Sequence, residues 1–104
     1  MERDSRHYER IRVPEDKLIP CEGVGRPLRG HVSVVGLGGM FIRTRESYPV
    51  GTVFDVRLGD GEEAIEASCV VRSVDPGGLG VEFVKLRGKH EQALKKIIDR
   101  LKSV

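Results

Sequence analysis

Apolar and polar residues alternate in short runs separated by glycine-rich turns, a pattern typical of antiparallel strands. The runs cover residues 28–35, 40–44, 52–58, 65–72 and 79–84. The predicted inward-facing residues are Leu28, Val32 and Val34 in the first run, Phe54, Val56 and Leu58 in the third, Ile65, Ala67, Cys69 and Val71 in the fourth, and Leu79, Val81 and Phe83 in the last. Five or six such strands predict a small closed or nearly closed antiparallel sheet.

The spacing of apolar residues changes near the C-terminus. Leu94, Ile97, Ile98 and Leu101 follow the i, i+3, i+4, i+7 spacing of an amphipathic helix over about residues 88–102. A lone helix of this length is marginal in water, so we expect its apolar stripe to pack against the sheet.

Length and composition narrow the class of protein. The 104 residues predict a single soluble domain, and no apolar run approaches the ~20 residues of a membrane span. The first residues lack the apolar stretch of a secretion signal, which predicts a cytoplasmic location.

The sequence gives little support for catalysis or metal binding. Cys21 and Cys69 are too few for a cysteine-based zinc site, and the three histidines lack ligand spacing. The glycine-rich stretch 36–39 has no serine nucleophile. We therefore expect no enzyme, no cofactor and no metal.

The net charge of +2 is the sum of three unlike segments. Residues 1–45 carry +3, residues 46–82 carry −6 and residues 83–104 carry +5. Twelve of the eighteen basic residues are arginine, which pairs bidentately with phosphate. The acidic middle disfavours a long nucleic acid, so a compact anion is the better candidate ligand.

Two short segments are candidates for binding that anion. Residues 1–12 are predicted to form a flexible polar arm. If the arm is extended, one side carries Arg6, Tyr8, Arg10 and Arg12, and the backbones of Arg6 and Arg10 are about 13 Å apart. The turn through Gly36, Gly38 and Gly39 offers backbone N–H groups to a phosphate or a planar base. Taken alone, a solvated terminus and an ordinary hairpin also explain these segments.

The order of the motifs resembles a PilZ domain over nearly the whole chain. The resemblance rests on R-x-x-x-R at Arg6 and Arg10, on G-G-M-F-I-R-T at residues 38–44, on P-V-G-T at 49–52 and on G-G-L-G-V-E-F-V at 77–84. It implies a bacterial six-stranded antiparallel β-barrel with a C-terminal α-helix, covering residues 13–104 after the arm. It also implies a receptor for the second messenger cyclic di-GMP, in which the two arginines hold phosphate and guanine.

The second ligand motif of that family, [D/N]-x-S-x-x-G, is altered. Aligned on the G-G-M-F stretch, it falls on residues 34–39, so that Val34 replaces the acid or amide, Gly36 replaces the serine, and only Gly39 is kept. A shifted frame over residues 31–36 restores a serine but spoils the flanking match. Loss of the charged acceptor removes roughly 1.5 to 3 kcal/mol of binding free energy.

These observations lead to one main hypothesis and two alternatives. The main hypothesis is a cyclic di-GMP receptor whose site comprises Arg6, Arg10, Val34, Gly36, Gly38 and Gly39, and which signals to a protein effector through ordering of its arm. The first alternative is a degenerate PilZ module that binds no nucleotide and acts through protein contacts in motility or surface attachment. The second, a small RNA-binding barrel, is disfavoured because the chain has only five aromatic residues and no aromatic platform motif. No membrane or DNA partner is expected.

Overall fold

The computed structural model describes residues 9–86 and 88–103. Within them the chain forms seven strands and one α-helix. The strands are β1 (Arg10–Arg12), β2 (Ile19–Val24), β3 (Arg29–Gly36), β4 (Gly39–Thr44), β5 (Val53–Leu58), β6 (Ile65–Asp75) and β7 (Gly78–Lys85), and the helix is α1 (Gly88–Lys102). Two short 3-10 helices, Glu15–Lys17 and Gly61–Glu63, lie in the loops.

Strands β2 to β7 close into a barrel. All pairings are antiparallel, and they run from β3 through β2, β5, β6, β7 and β4 back to β3. β3 pairs with β2 along its first half and with β1 over residues 34–36. Closure leaves few unpaired strand edges, which otherwise invite aggregation. The predicted fold class, a six-stranded antiparallel barrel with a C-terminal α-helix, is confirmed, with β1 as one extra strand.

The barrel interior is filled by the inward-facing residues of β5 and β6, as predicted. β5 alternates between exposed and buried positions along its whole length, and the predicted apolar face of β6 is buried. On β7, Leu79 and Val81 are buried, and Phe83 is half-buried against the core. The strict alternation arises because one face of each strand meets the core and the other meets solvent.

The inward face predicted for the 28–35 run is wrong at Val34. Leu28 and Val32 are buried, but the next buried residue of β3 is Val35. The pairing of β3 with β4 shifts register between Val32 and Val34, and such a β-bulge reverses which side chains face the core. Val34 therefore lies half-buried on the outer surface.

Helix α1 packs against the barrel through the predicted stripe. Leu94 and Ile98 are buried in the core, and Ile97 and Leu101 are half-buried at its margin. The basic residues of the helix lie on its other sides. No helix within residues 9–86 and 88–103 has the length and apolar character needed to cross a bilayer.

The two cysteines pack as small apolar side chains, as predicted. Cys21 and Cys69 are fully buried and are not joined by a disulfide. Burial raises the pKa of each thiol to about 12, because the thiolate would lose its hydration. Both groups are therefore protonated and unreactive in the folded chain at neutral pH.

Candidate ligand-binding site

β1 presents arginines to solvent at the outer surface of the barrel. Ile11 faces inward and packs against the core, while Arg10 and Arg12 on either side of it are exposed. The predicted same-side placement of Arg10 and Arg12 is thus confirmed. Residues 10–12 of the predicted arm are held as a strand by their pairing with β3. Arg6 lies outside the described residues.

Strand pairing joins one row of outward residues across five strands. Arg12 of β1 is opposite Val34 of β3, Val34 is opposite Phe41 of β4, Phe41 is opposite Gly80 of β7, and Gly80 is opposite Ser73 of β6. Directly opposed residues of antiparallel strands share a face of the sheet. We call this row, together with the neighbouring Arg10 and Arg72, the arginine face.

Two arginines of the arginine face, Arg10 and Arg72, line one cleft of about 130 Å³. Its walls include Arg10, Arg72, Ser73 and Glu82. The Nε of Arg72 donates to Oε1 of Glu82 at 2.7 Å, and the described contacts of Arg72 use no other nitrogen. The terminal nitrogens can therefore donate to an anion placed between the two arginines.

Gly36, which is predicted to replace the serine of the second motif, lies directly beside Arg10. The two residues are opposed in the β1–β3 pairing, and Gly36 is buried. A Cβ built on Gly36 would lie closer than 3.0 Å to the carbonyl oxygen of Glu9 and 3.5 Å from Cγ of Arg10. The glycine is required here because β1 occupies the space that a side chain would need.

The other two glycines of the predicted site lie on the far side of the β3–β4 hairpin. Gly39 is buried, and a side chain there would collide with the carbonyl oxygen of Val81. The carbonyl of Gly38 accepts a hydrogen bond of 2.9 Å from the N–H of Phe83. The structure thus brings Arg10, Val34 and Gly36 together, and sets Gly38 and Gly39 against β7 instead.

Glu9, the residue just before β1, is in contact with the helix. Nζ of Lys102 lies 3.0 Å from a carboxylate oxygen of Glu9, and this hydrogen bond and charge raise the pKa of Lys102. Leu37 of the β3–β4 hairpin borders the same groove as Ile98. Because both groups are largely exposed, the ion pair contributes little stability, but it links the start of β1 to the end of α1.

Sequence reasoning missed Arg72, Ser73 and Phe41 as members of the face. They are distant from both motifs in the chain, and only the pairing of β4, β7 and β6 brings them beside Arg10 and Val34. One sequence signal was present for Phe41: in the predicted strand 40–44 the charged Arg43 belongs on the outer surface, and alternation places Phe41 on the same side. No cluster of metal-ligating side chains occurs among the described residues.

Comparison with known proteins decides the family. The PilZ domain family model matches residues 4–100. The chain belongs to the PilZ domain family. PilZ domains are ligand-binding receptor or adaptor domains. In this PilZ domain, the β1–β3 register sets Arg10 opposite Gly36, the residue predicted to replace the serine of the second motif.

Solved structures show the same fold. The PilZ domain of YcgR from Escherichia coli, solved with c-di-GMP, matches with a TM-score of 0.75 and 20% identity, covering 96% of this chain and 93% of that one. The uncharacterised Legionella protein Lpg0364 matches with a TM-score of 0.63 and 14% identity, covering 92% and 96%. No curated protein sequence matches the chain significantly.

Proposed function

We propose that this PilZ domain is a receptor for cyclic di-GMP and that Arg10, together with Arg6, binds the nucleotide. The observation that carries the proposal is the position of Arg10, exposed on the outer barrel surface in one cleft with Arg72. Paired guanidinium groups suit a phosphate diester, and arginine also reads the guanine edge bidentately. The structural likeness to a PilZ domain solved with c-di-GMP supports this choice of ligand.

The second motif borders the same place in this proposal. Val34 and Gly36 are opposed to Arg12 and Arg10, so a ligand held by the arginines would lie beside them. Val34 has an apolar side chain and Gly36 has none, so neither residue can accept a hydrogen bond through a side chain. Val34 would contribute apolar surface, whereas β1 covers Gly36. Gly38 and Gly39 would shape the hairpin at the margin of the site.

The signal would pass from the arm to an effector protein. A ligand that holds the arm through its arginines also fixes β1, a strand of three residues. The contact between Glu9 and Lys102 links β1 to α1, so a displacement of β1 changes the surroundings of the helix. The altered surface, formed by the arm and α1, is the one we expect an effector to recognise.

Isothermal titration with cyclic di-GMP tests the proposal on the parent chain, on Arg10→Ala and on a matched control, Arg57→Ala. Arg57 is an exposed arginine of β5, away from the arginine face, and its ion pair with Glu66 is solvent-exposed. Removing Arg10 should weaken binding about 10- to 100-fold, as expected for a charge-assisted contact of roughly 1.5 to 3 kcal/mol, whereas the control should bind normally. Absence of heat from the parent at high micromolar nucleotide would refute the receptor function.

A second candidate is an adaptor that binds no nucleotide and contacts a protein directly. The observation favouring it is that the arginine face has the apolar pair Val34 and Phe41 where the family motif would supply a polar group. A pull-down tests it: an adaptor retains the same partner with and without cyclic di-GMP and after Arg10→Ala. Partner capture that depends on the nucleotide would reject the adaptor.

A further inference from the structure

Phe41 is half-buried, although it does not belong to the core. Its neighbours Met40 and Ile42 point inward and are fully buried, which leaves Phe41 on the outer surface. Phe41 is also absent from the partly buried apolar residues that pack against the core. Its burial must therefore come from contacts on the outside of the barrel.

Those contacts are with the glycines of β7. Cε2 of Phe41 lies 2.8 Å from the position that a Cβ on Gly78 would take, and Cδ1 lies 3.9 Å from the corresponding position at Gly80. The ring thus leans across the backbone of β7, where neither glycine has a side chain to obstruct it. Such covering of strand glycines by an aromatic ring fixes the ring in place. Because Phe41 is only half-buried, part of its side chain remains accessible.

Polar side chains lie two strands away from Phe41 in both directions along the strand-pairing row. Ser73 of β6 is opposed to Gly80, and its Oγ occupies the space beside Gly80 where a side chain would begin. Two strand spacings, about 10 Å, separate the backbones of β4 and β6, and the ring spans part of this distance. Arg12 lies two strands away on the other side, beyond Val34.

We propose that Phe41 is the stacking surface for one guanine base of the ligand and that Ser73 binds the edge of that base. This inference rests on the proposed function and deepens it. An aromatic ring held against β7 provides a preformed flat surface, and nucleobases stack on such rings regardless of sequence. The Ser73 hydroxyl both donates and accepts, so it can take over a polar contact that Val34 and Gly36 cannot make.

The size of the neighbouring cleft agrees with this division of the ligand. At about 130 Å³ the cleft beside Arg10 and Arg72 is smaller than pockets of ~300 to 1,000 Å³ that enclose drug-sized ligands. It has room for a charged fragment such as a phosphate group, and the bases must lie outside it. Gly80 and Ser73 line the cleft, and Gly80 also lies beside the ring, so a base stacked on Phe41 remains joined to a phosphate in the cleft.

Titration of cyclic di-GMP into Phe41→Leu and Ser73→Ala tests the two contacts. Leucine keeps an apolar side chain beside Gly78 and Gly80, and the thermal melt of the variant verifies folding. Loss of stacking should weaken binding roughly 10- to 100-fold, and loss of the Ser73 hydroxyl about 2- to 10-fold. Parent-like affinity of Phe41→Leu would overturn the stacking role while leaving the receptor function intact. A parent chain that does not bind would overturn both.

A fluorescence measurement separates stacking from a general loss of structure. The chain contains no tryptophan, so Phe41→Trp introduces a single indole at the proposed surface. The matched control is Val53→Trp, at a 56% exposed position on β5 on the opposite side of the barrel. Saturating cyclic di-GMP should quench the emission of Phe41→Trp and leave that of Val53→Trp unchanged. Equal responses of the two variants, or no response from Phe41→Trp in a chain that binds, would overturn the proposal.

Discussion

Replacing Gly36 by serine restores the family's second motif at one position, yet we expect it to destabilise this chain. The added Cβ would lie within 3.0 Å of the Glu9 carbonyl oxygen, 3.4 Å from the Glu9 carbonyl carbon and 3.5 Å from Cγ of Arg10. The closest of these atoms belong to the backbone and cannot rotate away. β1 must therefore shift outward or lose its pairing with β3.

The structure bounds the size of this effect. Forcing extra atoms into a packed site costs about 1 to 3 kcal/mol. If β1 detaches completely, the chain loses three pairings with β3 and the packing of the half-buried Ile11. Full burial of such a side chain stabilises by about 1.5 to 3 kcal/mol, which is the upper limit for Ile11. Both routes give a similar loss of unfolding free energy. For a domain of this size, each kcal/mol lost lowers the melting temperature by about 4 to 8 °C.

Urea unfolding and amide hydrogen exchange measure the two consequences of Gly36→Ser. The N–H of Val13, just after β1, donates to the carbonyl of Ser33 at 2.8 Å, so its protection reports whether this junction stays docked. We expect a lower unfolding midpoint, faster exchange at Val13 and weaker nucleotide binding, because Arg10 is carried by β1. An unchanged midpoint with full protection at Val13, or a gain in affinity, would refute the steric argument.

Three further predictions follow from the same structure. Val34→Asp restores the other motif position on an outward-facing residue opposite Arg12, and it should tighten cyclic di-GMP binding about 10- to 100-fold by titration; unchanged affinity would contradict this. Cys21 and Cys69 should not react with a thiol reagent at pH 8 until urea unfolds the chain. Their pKa rises from 9.0 to about 12 on folding. The free energy of unfolding should therefore fall as the pH increases through this interval, because only the unfolded thiols ionise there. Leu94→Ala should lower the unfolding free energy by about 2 to 5 kcal/mol in urea, and a loss below 1 kcal/mol would show that the helix is not part of the core.

Elements whose two faces meet different surroundings could be predicted from the sequence. β5 separates core from solvent residue by residue, and the stripe through Leu94 and Ile98 marks the buried side of α1. In both cases the periodicity of the element and the burial pattern coincide. The local sequence therefore determines which side chains enter the core.

Elements that depend on distant partners could not be predicted in the same way. β1 has three residues, too few to show a period, and it is a strand because β3 offers a partner. β2 contains Pro20 and Gly23, which weaken any strand signal, although Cys21 between them is fully buried. The bulge that turns Val34 outward likewise arises from the pairing of β3 with β4.

The residues of the candidate site also fall into these two groups, those with a local sequence signal and those without one. R-x-x-x-R and the altered second motif are local patterns, and the sequence alone was enough to single out Arg10, Val34 and Gly36. Arg72 and Ser73 carry no local mark of function, and they join the site because β6 and β7 close the barrel beside β4. Residue types alone could not distinguish them from ordinary surface positions.

β1 gives the altered motif a physical explanation. A side chain at position 36 and the close pairing of β1 with β3 exclude each other, since both need the space beside the Glu9 carbonyl. Glycine therefore removes the motif hydroxyl and at the same time lets Arg10 dock on the barrel as part of a strand. The bulge also changes the motif surface, because it turns Val34 outward next to Phe41. An arginine fixed by backbone pairing needs less ordering on binding than one on a free arm. With Arg10 fixed in this way, the chain can lose one polar contact at the motif if neighbouring strands contact the base instead. Phe41 and Ser73 are the residues that would make this contact, so they are the decisive positions for testing.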